Sequence, residues 1–245
     1  MWMWVLLLVT QTARVASSRP APRVEIARGE TSCRVTVGGE LFTEYRWTEG
    51  ISPVLYPVLG EGGIHMTRGW PLSAGRAGEA RDHPHHRSLW FAHGEVNGND
   101  FWSGRRGARI VQRELAIREE GPGPAIVTRN DWLDGDGKRV SRDRRRVSFA
   151  ARDGMRIIDF EIEIEASDGA LRFGDTKEGS MAIRMAPELR LWGKIARGKV
   201  RNSEGVSGKG VWGKRARWVA YQASLDDRNF GLALLDHPEN HGYPC

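Results

Sequence analysis

The stretch RIIDFEIEIEA, residues 156–166, decides the fold class. Phe160, Ile162 and Ile164 alternate with acidic side chains along it. An alternation with a period of two places apolar side chains on one face of a strand and charged side chains on the other. The stretch therefore predicts a strand of an antiparallel sheet that buries one face and exposes the other to water.

The segment just upstream is strongly basic. Residues 138–146 (KRVSRDRRR) carry +5 of the formal net charge of +6. Asp153-Gly154 is a turn signal, so residues 140–150 are predicted to form a hairpin with the acidic strand, its arginines facing the glutamates. This pairing explains the basic segment without a polyanion, and we expect no nucleic-acid partner.

Short apolar segments separated by glycine turns continue in both directions. Gly38-Gly39 predicts a hairpin between strands at 34–37 and 40–45, and residues 108–117 suit either a strand or a helix. Further strands are predicted at residues 53–59, 88–93, 125–132, 181–185, 189–192, 218–221 and 230–235. No stretch keeps a helical period over twelve residues or more. The chain of 245 residues is therefore predicted to be all-β, a large antiparallel β-sandwich forming a single domain over residues 19–245.

The N-terminus begins with nine apolar residues, MWMWVLLLV. This run is too short to cross a bilayer, which needs about 20 residues, but it has the length of the apolar region of a signal peptide. Residues 16–18 are small and suit cleavage. We expect a signal peptide over residues 1–18, hence export to the periplasm or the medium, a cytoplasmic location if it is absent, and no membrane span.

Histidines are concentrated in one region, with five of the seven between His65 and His93. Imidazole exchanges protons near neutral pH, so these histidines are candidates for acid–base catalysis. The predicted catalytic residues of this region are His85, His86 and His93. The predicted substrate-binding residues of this region are Asp82, Arg87, Trp90, Asn97, Asp100 and Trp102, the two tryptophans being suited to stacking on sugar rings.

Two other roles for these histidines stay open. His83 and His85 point the same way in an extended chain, so a divalent metal at His83, His85 and His86 is the alternative. A purely structural role is the other. No cofactor is predicted, and the absence of a CxxC motif argues against a cysteine-based zinc site.

Two more polar clusters follow apolar segments. In GDTKEGS, residues 174–180, a glutamate among cations stays ionised, and we predict Glu178 as a catalytic base. The substrate-binding residues predicted from this cluster and from the C-terminal DHPENH, residues 236–241, are Asp175, Lys177, Arg184, His237 and Asn240. Ordinary surface charge and a terminal loop are the alternatives.

Four segments occur in the same order in a known bacterial family. They are DHPHHRSLWFAHGEVNGNDFW (82–102), FGDTKEGSMAIR (173–184), VWGKRARWVAY (211–221) and LLDHPEN (234–240). On these motifs the chain resembles the DUF6807 family, often labelled "methane oxygenase PmoA". The resemblance implies an exported protein of polysaccharide-degrading bacteria with a sandwich like that of galactose mutarotases. It also implies that family members continue beyond the last motif, so that this chain lacks a C-terminal segment.

The resemblance also suggests a chemistry. Mutarotase-like enzymes use a histidine as acid and a carboxylate as base on a sugar, which would correspond to His85, His86 or His93 with Glu178. The first hypothesis is therefore a carbohydrate-active epimerase, lyase or hydrolase whose three polar clusters converge. The alternatives are a non-catalytic carbohydrate-binding sandwich and, following the family label, a metal-dependent oxygenase, although a chain with no internal spanning segment cannot be the membrane-bound methane enzyme.

Overall fold

The computed structural model describes residues 21–48, 50–121, 123–152, 154–225 and 227–244, together with the backbone of residues 2–11. Within these residues the chain forms fourteen strands and four short 3-10 turns. The strands are β1 (Trp2–Gln11), β2 (Val24–Arg28), β3 (Ser32–Val37), β4 (Glu40–Arg46), β5 (Val54–Val58), β6 (Leu89–His93), β7 (Arg109–Arg118), β8 (Ala125–Leu133), β9 (Arg139–Arg152), β10 (Met155–Glu165), β11 (Gly179–Ile183), β12 (Lys199–Asn202), β13 (Trp218–Leu225) and β14 (Arg228–Asp236). The 3-10 turns are Glu61–Gly63, Arg105–Gly107, Pro187–Leu189 and Gly208–Val211.

The strands form two antiparallel sheets. The large sheet has eight strands in the order β12-β13-β14-β1-β10-β9-β8-β7, and the small sheet has six in the order β11-β6-β5-β4-β3-β2. The backbone of β1 pairs with β10 on one side and β14 on the other. Without β1 the large sheet would separate into a part of three strands and a part of four. The predicted all-β antiparallel class is confirmed.

Aromatic contacts join the two sheets face to face. Phe91 of β6 lies 6.4 Å from Phe160 of β10 and 6.2 Å from Trp132 of β8, measured between ring centroids. At the other end, Phe42 of β4 lies 6.1 Å from Phe149 of β9. The apolar faces of both sheets therefore bury one another, as expected of a β-sandwich.

The hairpin predicted around the acidic strand is confirmed. β9 and β10 pair in a register that sets Arg146 opposite Glu161 and Arg144 opposite Glu163. Burial raises the pKa of Glu161, and the charges of Arg144 and Arg146 offset part of this increase. The charged faces of the two strands thus compensate each other on the outside of the sandwich.

Two other details of the sequence-based prediction have clear outcomes. The Gly38-Gly39 hairpin is confirmed between β3 and β4, and residues 108–117, left open between strand and helix, lie mostly in β7. The strand predicted at 189–192 is wrong. There the Pro187–Leu189 turn buries Leu189, and Arg190 donates its backbone N–H to the Pro187 carbonyl, so no neighbouring strand is paired.

The N-terminal prediction is only partly within the described residues. The cleavage region at 16–18 lies outside them, so export stays a prediction. In the part of the chain that the structure describes, no helix has the length and apolar character needed to span a membrane.

A buried ion pair lies inside the sandwich, on the inner face of β9. Arg145 and Asp143 are each 1% exposed, and their side chains form two hydrogen bonds, of 2.7 and 3.0 Å. The Trp132 indole N–H donates to the same carboxylate at 2.7 Å, and the Asn130 amide donates to its other oxygen. The carboxylate is thus satisfied by three neighbours, as a buried charge requires.

We expect Arg145→Leu to lower the free energy of unfolding by about 3–5 kcal/mol, because it leaves Asp143 buried without a counter-charge. Guanidinium denaturation measures this. The matched control is Arg144→Leu on the outer face of the same strand, for which we expect a change within about 0.5 kcal/mol. The double variant Asp143→Leu/Arg145→Leu should recover part of the loss. Equal effects of the two arginine variants would contradict the assignment of Arg145 to the core.

Candidate functional site

The histidine-rich segment covers the outer face of the small sheet. Successive side chains of a strand point to opposite faces, so Trp90 faces away from the core that Phe91 enters. Trp102 covers Trp90 with its ring centroid 5.0 Å away, and the His86 ring stacks on Trp90 at 5.5 Å. Trp90 is 3% exposed and Trp102 is 7% exposed. The two tryptophans therefore form a floor beneath the histidines and do not offer the open stacking surface that the sequence suggested.

Three imidazoles lie together above this floor. The His86 ring lies 4.7 Å from His83, nearly parallel to it, and 4.5 Å from His85, nearly perpendicular to it. The Trp102 indole N–H points at His86 Nε2 at 3.2 Å. Since indole nitrogen only donates, His86 Nε2 accepts this bond, and His86 Nδ1 lies 3.4 Å from Arg184 Nη1, which is also a donor. Both ring nitrogens of His86 therefore face donors, which disfavours a protonated ring.

A buried arginine that the sequence analysis missed holds the histidine loop in place. Arg68 is 2% exposed and donates to the backbone carbonyls of residues 80, 82, 83 and 86 at 2.9–3.1 Å. It also donates to the Asp82 carboxylate at 2.7 Å. No local pattern marks Arg68, because its partners lie at least 12 positions away along the chain.

Asp82 connects Arg68 to the second polar cluster. Its carboxylate accepts from Arg184, which follows β11, and lies 3.2 Å from His83 Nδ1. Burial opposes the ionisation of Asp82, but Arg184, His83 and Arg68 outweigh it and lower the pKa of the carboxyl to about 2. The structure therefore brings the first two predicted clusters together through an Arg68–Asp82–Arg184 ion-pair network.

The same surroundings favour neutral imidazoles. Burial, then the charges of His85 and Arg184, lower the pKa of His86 to about 4. Burial and His83 lower the pKa of His85, whereas the carboxylates of Glu178 and Asp100 raise it. At neutral pH both His85 and His86 therefore rest in the form that accepts a proton.

Glu178 is the carboxylate that the sequence predicts to act together with the histidines. Its side chain keeps 35% of its surface exposed and lies 3.8 Å from Lys177 Nζ. Its backbone is fixed, since its carbonyl accepts from Gly94 N–H at 2.7 Å and its N–H donates to Thr176 Oγ1 at 3.2 Å. Asp175 is exposed beside it. The charge of Glu178 acts on His85, and the side chains of both residues are partly exposed.

His93, predicted as catalytic, has both ring nitrogens engaged. Nε2 lies 3.0 Å from the Gly174 carbonyl and Nδ1 lies 3.1 Å from Ser180 Oγ. A carbonyl only accepts, so Nε2 carries the proton and Nδ1 accepts from the hydroxyl. His93 therefore ties β6 to the segment that carries Glu178, and its geometry suits positioning more than proton exchange.

Three predicted binding residues also make structural contacts. Arg87 is 5% exposed and donates to the Ser52 carbonyl at 2.7 Å. Asn97 donates to the Ala170 carbonyl at 2.9 Å and accepts from a backbone N–H at 2.8 Å. Asp100 accepts from the N–H groups of the two turn residues that follow Phe101. These contacts shape the loops around the site and leave a direct role in binding as a prediction.

The third predicted cluster lies elsewhere. His237 is exposed, and its charge acts on Asp159, whose neighbours Ile158 and Phe160 point into the core. Asp159 and His237 are therefore on the outer face of the large sheet, on the opposite side of the sandwich from His86. Asn240 is buried and donates to Asp236 at 2.6 Å. The expected convergence of all three clusters is thus wrong for the third.

The histidines do not fit a metal centre. Metal ligands aim ring nitrogens at one point, whereas the rings of His83 and His86 lie face to face and His86 Nε2 is taken by Trp102. Among the described residues, no group of three or more His, Cys, Asp or Glu side chains is placed to hold a metal ion. The described residues therefore offer no set of metal ligands that would support the metal-dependent oxygenase alternative.

Comparisons with known proteins give one match. Residues 32–245 match the model of a family described as "Family of unknown function (DUF6807)". No curated protein and no solved structure matches the chain. The likeness to galactose mutarotases therefore stays a prediction.

The lowered pKa of His86 makes stability depend on pH. Its value of about 4 in the folded protein lies below the ordinary value of about 6.5, so the unfolded chain binds the proton first as the pH falls. The contribution of neutral His86 to the free energy of unfolding is therefore complete above about pH 6.5 and is lost as the pH falls toward about 4. We expect His86→Gln, which keeps an acceptor for Trp102, to reduce the fall in Tm between about pH 7 and about pH 5.

The control for this experiment is His241→Gln, an exposed histidine near the C-terminus. It should keep the pH dependence of the wild-type protein. An unchanged fall in Tm in the His86→Gln variant would show that His86 is not held in its neutral form.

Proposed function

The chain belongs to the DUF6807 family, whose function is unknown, so its function has to be inferred from the geometry of its own candidate site. We propose that the protein is an acid–base enzyme acting on a carbohydrate. His85 accepts a proton from the substrate, and Glu178 supplies the facing negative charge. The reaction class is an epimerase, lyase or hydrolase, all of which need a proton moved to or from carbon or oxygen.

One observation carries the proposal: a neutral, partly exposed imidazole lies in the field of a partly exposed carboxylate. Burial keeps His85 neutral at rest, and the Glu178 carboxylate stabilises the imidazolium once His85 has taken a proton. After protonation, His85 is a stronger acid than free imidazolium and returns the proton readily. This reverses the roles expected from mutarotase-like enzymes, in which histidine is the resting acid.

The other predicted catalytic histidines support this pair. His86 stacks on Trp90, accepts from Trp102 and lies 4.5 Å from His85, so it fixes the position of the His85 ring. His93 holds the Gly174–Ser180 segment that delivers Glu178. We assign both a positioning role.

The polar lining of the site supports a polyhydroxylated substrate. Asp82 and Arg184 contact His83 and His86, Lys177 lies 3.8 Å from Glu178, and Asp175 is exposed on the same segment as Glu178. Sugar hydroxyls donate and accept at the same oxygen and match such a lining.

We expect His85→Gln and Glu178→Gln each to reduce turnover by about 10²–10⁴-fold while the protein stays folded. The assay incubates the protein with aldoses, uronic acids and their glycosides in deuterated water and follows products and deuterium uptake by NMR. The matched controls are His241→Gln and Glu30→Gln, both exposed and away from the site. Binding without turnover by the wild-type protein would favour the non-catalytic alternative, and turnover that both variants retain would overturn the assigned roles.

We also propose that the protein is exported, on the basis of the apolar run at residues 1–9. In the unprocessed chain this run forms β1, so processing would remove the strand that lies between β10 and β14 in the large sheet. Expression of the full chain in a bacterium should yield a processed protein outside the cytoplasm, with its new N-terminus near residues 16–18. Leu7→Arg should block processing because it breaks the apolar run. An unprocessed chain of 27.5 kDa in the cytoplasm would contradict export.

A further inference from the structure

One segment has a larger net positive charge than the whole chain. Residues 190–217 contain nine Arg and Lys and a single acidic residue, a net charge of +8 against +6 for the entire protein. The rest of the chain is therefore slightly negative. The segment, which we name the basic edge, includes β12, the edge strand of the large sheet.

These charges are exposed and mostly without counter-charges. All nine cations except Arg190, which is half-buried, are exposed. Arg217 lies 4.0 Å from Glu204, and Arg215 donates to backbone carbonyls near the C-terminus. Among the described residues no ion pair is formed by the other seven, Arg190, Lys194, Arg197, Lys199, Arg201, Lys209 and Lys214.

The basic edge also carries the exposed large hydrophobic side chains of the described residues. Trp192 is 57% exposed and Trp212 is 89% exposed. Each begins a Trp-Gly-Lys sequence in which the glycine has a positive φ, +137° at Gly193 and +68° at Gly213. Such backbone favours glycine, and in each turn the tryptophan and the lysine two residues later are both exposed to solvent.

Both turns belong to loops that are internally hydrogen-bonded. In the first, the Arg190 carbonyl accepts from Gly198 N–H at 2.9 Å, and Arg197 N–H donates to the Glu188 carbonyl at 3.0 Å. In the second, Lys214 N–H donates to the Val211 carbonyl at 3.2 Å across the turn itself. Earlier in the same loop, Asn202 Oδ1 accepts two backbone N–H groups at 3.0 and 3.1 Å. The loops are thus ordered without a ligand, which lowers the entropic cost of binding one.

Structural roles do not account for this composition. The arginines on the outer face of β9 face glutamates of β10, but the basic edge has no acidic strand opposite it. Charged residues on an edge strand prevent sheet-to-sheet aggregation, which explains Lys199 and Arg201. It does not explain two exposed tryptophans or the cations in the flanking loops.

We infer that the basic edge binds an acidic polysaccharide, a polymer of pyranose rings bearing carboxylate or sulfate groups. The exposed faces of Trp192 and Trp212 stack on pyranose rings, and the neighbouring cations pair with the anionic groups. The bases of a nucleic-acid duplex are hidden inside their stack, whereas the ring faces of a polysaccharide are open to a tryptophan on a turn. This site is separate from His85 and Glu178 and does not depend on their proposed chemistry.

The test is affinity electrophoresis of the full chain in native gels that contain polygalacturonate, dextran sulfate or neutral dextran. We expect retardation by the first two polymers only, weakening as salt is added. Trp212→Ala should weaken binding by about tenfold or more, and Trp212→Phe should restore most of it. The triple variant Lys194→Gln/Lys209→Gln/Lys214→Gln should bind more weakly and with less dependence on salt.

The matched control is Arg142→Gln/Arg144→Gln/Arg146→Gln, which removes the same charge from the outer face of β9 and should bind like the wild-type protein. His85→Gln should also bind normally, so a failure of the catalytic proposal leaves this one intact. An equal loss of binding in the two triple variants would show that binding depends only on net charge, and would overturn the assignment of the site to the basic edge. Tighter binding to single-stranded DNA or to anionic lipid vesicles, or no binding to either acidic polymer, would overturn it as well.

Discussion

The buried pair of Asp143 and Arg145 is the interaction on which the rest of the molecule depends. The Asp143 carboxylate fixes the Trp132 indole, and Trp132 packs against Phe91, Phe101 and Phe173 at 4.8–6.2 Å. These three phenylalanines belong to β6, to the loop that carries Trp102 and to the segment before Glu178. The Arg145 guanidinium also lies 5.7 Å from the Phe91 ring. A charge pair in the large sheet thus sets the position of the elements that carry the candidate site on the small sheet.

The sequence predicts much of this fold because alternation is a local property. The period of two at Phe160, Ile162 and Ile164 is visible without any partner strand, and so is the turn that joins β9 to β10. The role of Arg145 is not visible in the same way. Arg144, Arg145 and Arg146 are consecutive and identical, and Arg145 shares the core face of β9 with Val147 and Phe149, where an arginine is not expected. The strand predicted at 189–192 is wrong for a related reason, since a short apolar segment has the same composition in a buried turn as in a strand.

In the candidate site, too, residue types were predicted from local sequence, whereas contacts between distant segments were not. The histidines at 83–86 and Glu178 are predicted from residue type, and the structure brings their two segments together through Asp82 and Arg184. Arg68 was missed because its ligands are backbone carbonyls, which every residue has and no sequence pattern marks. His237 was placed in the site because it follows an apolar strand, but a strand of the large sheet delivers its end to the other side of the sandwich. The basic edge was missed because residues 138–146 alone account for most of the net charge of the chain. The larger positive charge of residues 190–217 was not apparent, since acidic residues elsewhere in the chain cancel it in the total.

Arg68 has a consequence for how the histidine loop behaves as its charges change. A single guanidinium gathers four carbonyl oxygens and a carboxylate, as a bound cation would, but it is attached to the chain by its own side chain. A tethered cation cannot be removed by a chelator, diluted away or exchanged for another ion. Guanidinium also keeps its proton at every pH at which proteins function. The loop therefore has an anchor that neither dissociates nor titrates, and its imidazoles can gain and lose protons without losing their place.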